Sequence, residues 1–231
     1  MAFFIVFEGG EGSGKTTQAR KLYSTLCNQK HRVRIVHEPG DTPLGKALRG
    51  LVATPKEALF SAWKRGLVPA QPDSQLTLST KDFWLPIVPE AELFLFEASR
   101  AQLVAEVIQP SIKNGVSIIC DRYIYSTVAY QGYGRNLDLK LIEYLNSVAT
   151  RGLQPDLVIF LDMPPAAGLR RKTKASEISR FEEEELAFHQ RVREGYLKQA
   201  AADPERWFVI DALLPKAQIT DIILARVEKL F

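Results

Sequence analysis

The sequence predicts an α/β fold built on a parallel sheet. Three observations carry that expectation. Short apolar runs rich in β-branched and aromatic residues recur along the chain. Helical patterns with one apolar stripe lie between them. The first run, FFIVFE (3–8), leads at once into GGEGSGKTT (9–17), a glycine-rich loop followed by an amphipathic stretch. Continuous apolar runs suit strands buried on both faces, and strands alternating with helices imply right-handed crossovers.

The elements follow in order. After the first strand, residues 15–29 read as a helix with Ala19, Leu22, Tyr23 and Leu26 on one stripe. RVRIVHE (32–38) is the second strand. Pro39 and Gly40 then make a rigid turn, and Asp41 or Thr42 starts the helix that carries Arg49. Residues 52–89 break the rhythm. They hold several prolines, a Ser/Thr/Gln-rich patch and no clear strand, and only 55–67 is patterned for a short helix. A connection this long is uncommon in a compact domain. Helices are expected over 90–113, 138–149 and 182–201, and strands at VSIICD (116–121), DLVIFLD (156–162) and RWFVID (206–211). We therefore expect one domain over 1–231, with an inserted loop or short helix at about 53–89.

Composition excludes several classes. The formal charge is +3, from 30 basic and 27 acidic residues, too balanced to argue for nucleic acid or a membrane surface. No apolar run is long enough to span a bilayer, and FFIVF is too short and lacks the basic lead of a signal peptide. Cys27 and Cys120 lie far apart, with no metal-ligand spacing. A soluble, cytoplasmic protein is expected.

GGEGSGKT (9–16) fits G-x-x-x-x-G-K-[ST], the phosphate loop of P-loop NTPases. Its glycines let successive backbone N–H groups turn inward onto phosphate oxygens, and the helix that follows offers its positive end to the same anion. Gly9, Gly10, Glu11, Gly12, Ser13, Gly14, Lys15, Thr16 and Thr17 are thus the expected ATP-binding segment. Lys15 brings a positive charge to the β- and γ-phosphates, and Thr16 brings a hydroxyl to Mg²⁺. The fold expected is a three-layer sandwich of this type: a five-stranded parallel sheet with helices on both faces.

Ligands in such sheets gather at the carboxyl ends of strands. DRYIYSTVAYQGYGR (121–135) crowds an acid, arginines, hydroxyls and aromatic rings behind the third strand. Behind the fourth, basic residues cluster between Arg170 and Arg180, then four glutamates follow. This segment, about 168–183, reads as a mobile basic lid or as a solvated helix start. Asp121 and Asp162 both end strands, and either can orient Mg²⁺; Asp121, with Arg122 beside it, is the candidate to act with Thr16. Phe96 and Arg100 stand four apart on one helix face, a ring beside a guanidinium, though spacing alone favours a core role for Phe96.

Six motifs now stand in register: GGEGSGKTTQ, EPG-x-T-x-x-G-x-x-L-R, E-L-F-L-F-x-A-x-R-A-Q, DRY-x-x-S-x-x-A-Y-Q-G-x-G-R, LD-x-P-P and RFE…F-H-x-R-V-R-E-G-Y-L. Together they closely resemble the bacterial thymidylate kinases, over nearly the whole chain apart from 53–89. The resemblance implies transfer of the γ-phosphoryl of ATP to dTMP with Mg²⁺, and often a homodimer. It implies that Glu11 sits beside the acceptor sugar and phosphate, that Arg49 and Arg122 hold that phosphate, and that Phe96 stacks on thymine while Arg100 reaches a base carbonyl. Pro39, Ser126, Thr127, Tyr130 and Gln131 line the acceptor pocket by the same resemblance. Lys15, Glu11, Arg122 and the lid residue Arg180 are the implied catalytic set. The variable loop positions Gly10, Glu11, Gly12 and Ser13 carry no basic residue, so lid cations are expected to complete the site. His37, Asp41 and Tyr125 depart from the family, which usually has Arg, Gly and Asp there. The last change is expected to remove a carboxylate near the acceptor. Another nucleotide or nucleoside kinase, or an ATP-binding regulator without transfer, are the competing readings.

Overall fold

The computed structural model describes residues 2–53, 87–172 and 180–230. Five strands pair in parallel: β1 (Phe4–Glu8), β2 (Val33–His37), β3 (Ser117–Asp121), β4 (Leu157–Asp162) and β5 (Trp207–Asp211). Their order across the sheet is β2-β3-β1-β4-β5. The central β1 and β3 are buried throughout, as continuous apolar runs require. β2 and β5 occupy the edges and keep half-exposed residues, so for them burial on both faces was an overstatement.

Alternation along β1 divides the core in two. Phe4 and Val6 face a cluster that includes Leu103, Tyr123, Phe188 and Tyr196. Ile5 and Phe7 face Ala19, Leu22, Leu26, Ile219 and Ile223. Each such side chain, fully buried, contributes about 1.5–3 kcal/mol. Helices therefore cover both faces. On the second face lie α1 (Lys15–Asn28) and a C-terminal helix of Lys216–Val227.

Among the described residues the remaining helices are α2 (Pro43–Ala53), α3 (Pro89–Leu103), α4 (Gln109–Lys113), α5 (Ile124–Thr127), α6 (Leu139–Thr150), α7 (Pro165–Lys172) and α8 (Leu186–Ala202), so the C-terminal helix is α9. The helix expected over 90–113 is interrupted by a π-helical turn at Val104–Ile108. A second π-helical turn, Val128–Gly134, continues α5. The helix expected from 182 begins at Leu186, and the acidic run lies in front of it, where negative charge favours a helix N-terminus. The patterned stretch 55–67, most of the 53–89 excursion and residues 173–179 of the lid segment fall outside the described residues.

The register gathers chemistry at one edge. Phe7 pairs with Asp121 and His37 pairs with Asp121, which brings the ends of β1, β2 and β3 together. Among the described residues no helix is long and apolar enough to cross a membrane.

Candidate active site

The glycine-rich loop turns sharply between β1 and α1. Gly14 takes a left-handed conformation (φ 93°) as the N-cap of α1. Gly12 (φ 69°) lets the start of α7 come close: a Cβ there would meet the Gly168 carbonyl at 2.1 Å. Lys15 is buried and folds back over the loop, its Nζ donating to Gly10 O at 2.8 Å. Burial and the nearby Arg122 push the Lys15 ammonium down to about 8, against the pull of Glu11, Asp121 and Glu8.

Thr16 Oγ1 donates to Asp121 Oδ2 at the end of β3. Asp162 is engaged elsewhere: Arg193 grips it through Nε at 2.8 Å and Nη2 at 2.9 Å. The two strand-end acids that look equivalent in the sequence thus differ. Among the described residues no cluster of three or more His, Cys, Asp or Glu could hold a metal. Mg²⁺ needs no such cage, since it retains waters and binds through one or two carboxylates plus substrate phosphates. Thr16 and Asp121 fit that demand.

Behind the loop lies a charged network centred on Arg122. Its backbone is left-handed (φ 73°), a conformation that costs about 1–2 kcal/mol for a residue with a side chain. From there Nη2 donates to Glu11 Oε1 at 2.7 Å, and Nη1 donates to Gly9 O, Ser126 Oγ and Tyr196 OH, each at 3.2 Å. Tyr130 OH donates to the same Glu11 oxygen at 2.7 Å. Burial alone would raise the Glu11 carboxyl; Arg122 and Lys15 outweigh it and hold it at about 2. Glu8 shows the opposite balance. Burial raises its carboxyl despite bonds from Ser126, the Tyr123 amide and Tyr196.

A cleft of about 670 Å³ opens beside this network. Every acceptor residue expected from the sequence lines it: Pro39, Arg49, Phe96, Arg100, Arg122, Ser126, Thr127, Tyr130 and Gln131. Arg49 is exposed at the rim and donates to Pro39 O at 3.0 Å. Phe96 packs against the core and also lines the cleft, with Phe181 6.0 Å away between ring centres.

Arg100 is buried and held on all sides. Nε donates to Glu38 (3.1 Å), Nη1 to Glu97 (2.6 Å) and Asn146 (2.7 Å), and Nη2 to Thr127 (2.7 Å). Burial disfavours its charge, yet Glu38 and Glu97 prevail and keep the guanidinium protonated. Burial likewise drives the Glu38 carboxyl up to about 7, in spite of Arg100.

Arg180 stands apart from the rest of the expected set. Its Nη2 donates to Glu92, and its Nε donates to Val52 O at 3.2 Å. It does not line the cleft; Lys172 does. The acidic run is no idle solvated face either: Glu182 pairs with Lys172 at 3.4 Å and Glu184 with Arg135 at 2.6 Å.

The departures at 37, 41 and 125 resolve differently. His37 and Asp41 form one interaction, with the His37 amide donating to Asp41 Oδ2 at 2.6 Å and Nδ1 lying 2.8 Å from Oδ1. Tyr125 corrects the expectation placed on it. It points into the core, edge-on to Trp207 at 4.9 Å, and takes no part in the cleft wall. Glu8, Glu38, Glu92 and Tyr196 were not foreseen. Glu38, Glu92 and Tyr196 lie inside the quoted motifs with no role given to them, and Glu8 had a signal of its own, an acid closing an apolar strand just before the loop.

A chain that only split its nucleotide would need no second anion-ready cleft against the phosphate loop. The fold and this doubled site define a P-loop nucleoside monophosphate kinase. A family model described as Thymidylate kinase matches residues 7–64 and 83–223. A thymidylate kinase of Desulfosudis oleivorans is 39% identical over 98% of this chain and 96% of its own. One of Dehalococcoides mccartyi is 42% identical over 100% and 98%. The crystal structure of a thymidylate kinase from Ehrlichia chaffeensis superposes with a TM-score of 0.67 at 29% identity, covering 98% of each chain. The chain belongs to the thymidylate kinase family.

Proposed function

We propose that the chain transfers the γ-phosphoryl group of ATP to dTMP, giving ADP and dTDP. The observation that carries this reading is the position of Arg122, which donates to the phosphate loop at Gly9 O and also lines the acceptor cleft. Phosphoryl transfer asks a protein chiefly to position two nucleotides and to neutralise charge between them.

In this reading the loop amides and Lys15 hold the donor phosphates. Arg122 and Arg49 orient the acceptor phosphate, with Glu11 fixing the Arg122 fork until that phosphate arrives. Phe96 offers a stacking surface for the base, and Ser126, Thr127, Tyr130 and Gln131 line the base and sugar pocket. Arg180 is assigned to the moving phosphoryl group, which requires it to exchange Glu92 for phosphate. Thr16 and Asp121 would hold Mg²⁺, which neutralises charge on the β- and γ-oxygens when bound.

The test is ADP release measured over a panel of monophosphates and nucleosides. Turnover is expected to be highest with dTMP; highest turnover with UMP, CMP or a nucleoside overturns the assignment.

We also propose a homodimer, supported by apolar side chains exposed on α3 and α6, namely Phe94, Tyr144 and Val148. The chain reads as one kinase domain carrying an insertion within 53–89 and a lid near 168–183. A cytoplasmic location, where ATP and nucleoside monophosphates are at hand, completes the reading.

A further inference from the structure

Gln131 lines the cleft, and its amide is not free to turn. Nε2 donates to Glu92 Oε1 at 2.7 Å. Glu92 lies in the first turn of α3 and is fully buried. The same carboxylate receives Arg135 through Nε and Nη2, each at 3.2 Å, and Arg180 through Nη2. A carboxylate gripped by two guanidiniums accepts hydrogen bonds and offers none. It therefore takes the NH₂ end of the Gln131 amide. One N–H of that NH₂ is spent on Glu92, and the carbonyl, which a carboxylate cannot engage, is the acceptor left for a ligand in the cleft.

That polarity discriminates between pyrimidines. Thymine and uracil carry N–H at ring position 3 and satisfy an acceptor. Cytosine carries a lone pair there and faces it with like polarity. A buried polar group left unpaired is costly, so a hydrogen-bonding site rejects the wrong partner far better than an apolar pocket does.

We propose that Glu92 is a positioning residue that sets base selectivity, by locking the Gln131 amide with its carbonyl toward the base. The inference rests on the reading that the base of the acceptor lies in this cleft. Nothing in it requires Glu92 to touch substrate.

The experiment compares kcat/KM for dTMP with that for dCMP. Glutamine at position 92 presents both a carbonyl and an NH₂, so it no longer dictates the orientation of its neighbour. Glu92→Gln is expected to lower the dTMP:dCMP ratio about tenfold, the worth of one misplaced hydrogen bond. Where that variant does not fold, Glu92→Asp keeps the charge beside Arg135 and Arg180, withdraws it from Gln131, and carries the same expectation. Arg135→Lys, which disturbs the cluster with the carboxylate in place, is expected to keep the ratio. In a Gln131→Ala background Glu92→Gln is expected to shift the ratio no further. A loss of rate on both substrates with the ratio unchanged overturns the role of Glu92. Gln131→Ala with unaltered selectivity overturns instead the placement of the base, and with it the reading of the cleft.

Discussion

Arg122 Nη2 and Glu11 Oε1 lie 2.7 Å apart, and this contact joins the phosphate loop to the wall of the adjoining cleft. Both groups are largely withdrawn from water, with side-chain exposures of 19% and 14%. Breaking a buried pair strands the surviving charge. Arg122→Ala is therefore expected to destabilise the fold by about 3–5 kcal/mol. Adding Glu11→Ala should recover part of that loss, because no orphaned carboxylate remains. Urea denaturation of both single variants and the double variant measures the coupling. In turnover, Arg122→Ala is expected to lower kcat/KM for dTMP by about ten- to a hundredfold, the worth of a charge-assisted bond to phosphate.

Lys15, held at about 8 by burial and Arg122, carries a second prediction. A triphosphate placed against it restores the ammonium to full protonation. ATP binding near pH 8 should therefore take up a fraction of a proton, and near pH 6.5 almost none. Calorimetry in buffers of different ionisation heat reads this directly. In the unliganded chain the group is deprotonated more readily folded than unfolded. Its contribution to stability thus rises as pH climbs from about 8 towards 10.5.

Asp121 and Asp162 should separate cleanly. Asp121→Asn is expected to raise the Mg²⁺ concentration needed for half-maximal rate by about tenfold or more, since the proposed ligand beside Thr16 loses its charge. Asp162→Asn leaves the Mg²⁺ titration in place and weakens the grip of Arg193 on β4. Rate measured against Mg²⁺ for each variant distinguishes them, and an equal shift in both contradicts the assignment.

Glu38 supplies a pH dependence of opposite sign to Lys15. Its carboxyl is raised to about 7 from 4.5 chiefly by burial, so the folded chain binds the extra proton in that window. Stability contributed here is present below about pH 4.5 and declines as pH rises towards 7, by about 2–3 kcal/mol. Glu38→Gln should flatten this stretch of the stability curve. Denaturation midpoints at several pH values between 4.5 and 7.5 test it.

Much of this was legible in the residues. The central strands announced themselves because strands covered on both faces lack polar alternation, and β1, β3 and β4 have little. The cleft residues were legible because they ride on spaced motifs. Partnership was not. That Arg193 of α8 claims Asp162, while Asp121 keeps Thr16, depends on how a distant helix packs against β4. Glu92 looks like one more acid in a helix start until Gln131, Arg135 and Arg180 converge on it. His37 and Asp41 looked like two separate departures and are one contact. Tyr125 was misjudged because spacing within a motif does not show which way a ring points. α9 escaped notice although its buried Ile219, Ile223 and Val227 recur every four residues.

The network through Glu8, Glu11, Arg122, Ser126, Tyr130 and Tyr196 ties the phosphate loop and the cleft wall into a single cross-linked platform. A molecule bridging donor and acceptor positions would find that platform held from several sides at once. The His37–Asp41 contact lies at the rim, where His37 lines the cleft. Chemical groups aimed at that corner would meet an imidazole paired with a carboxylate, a chemistry unlike that of the platform.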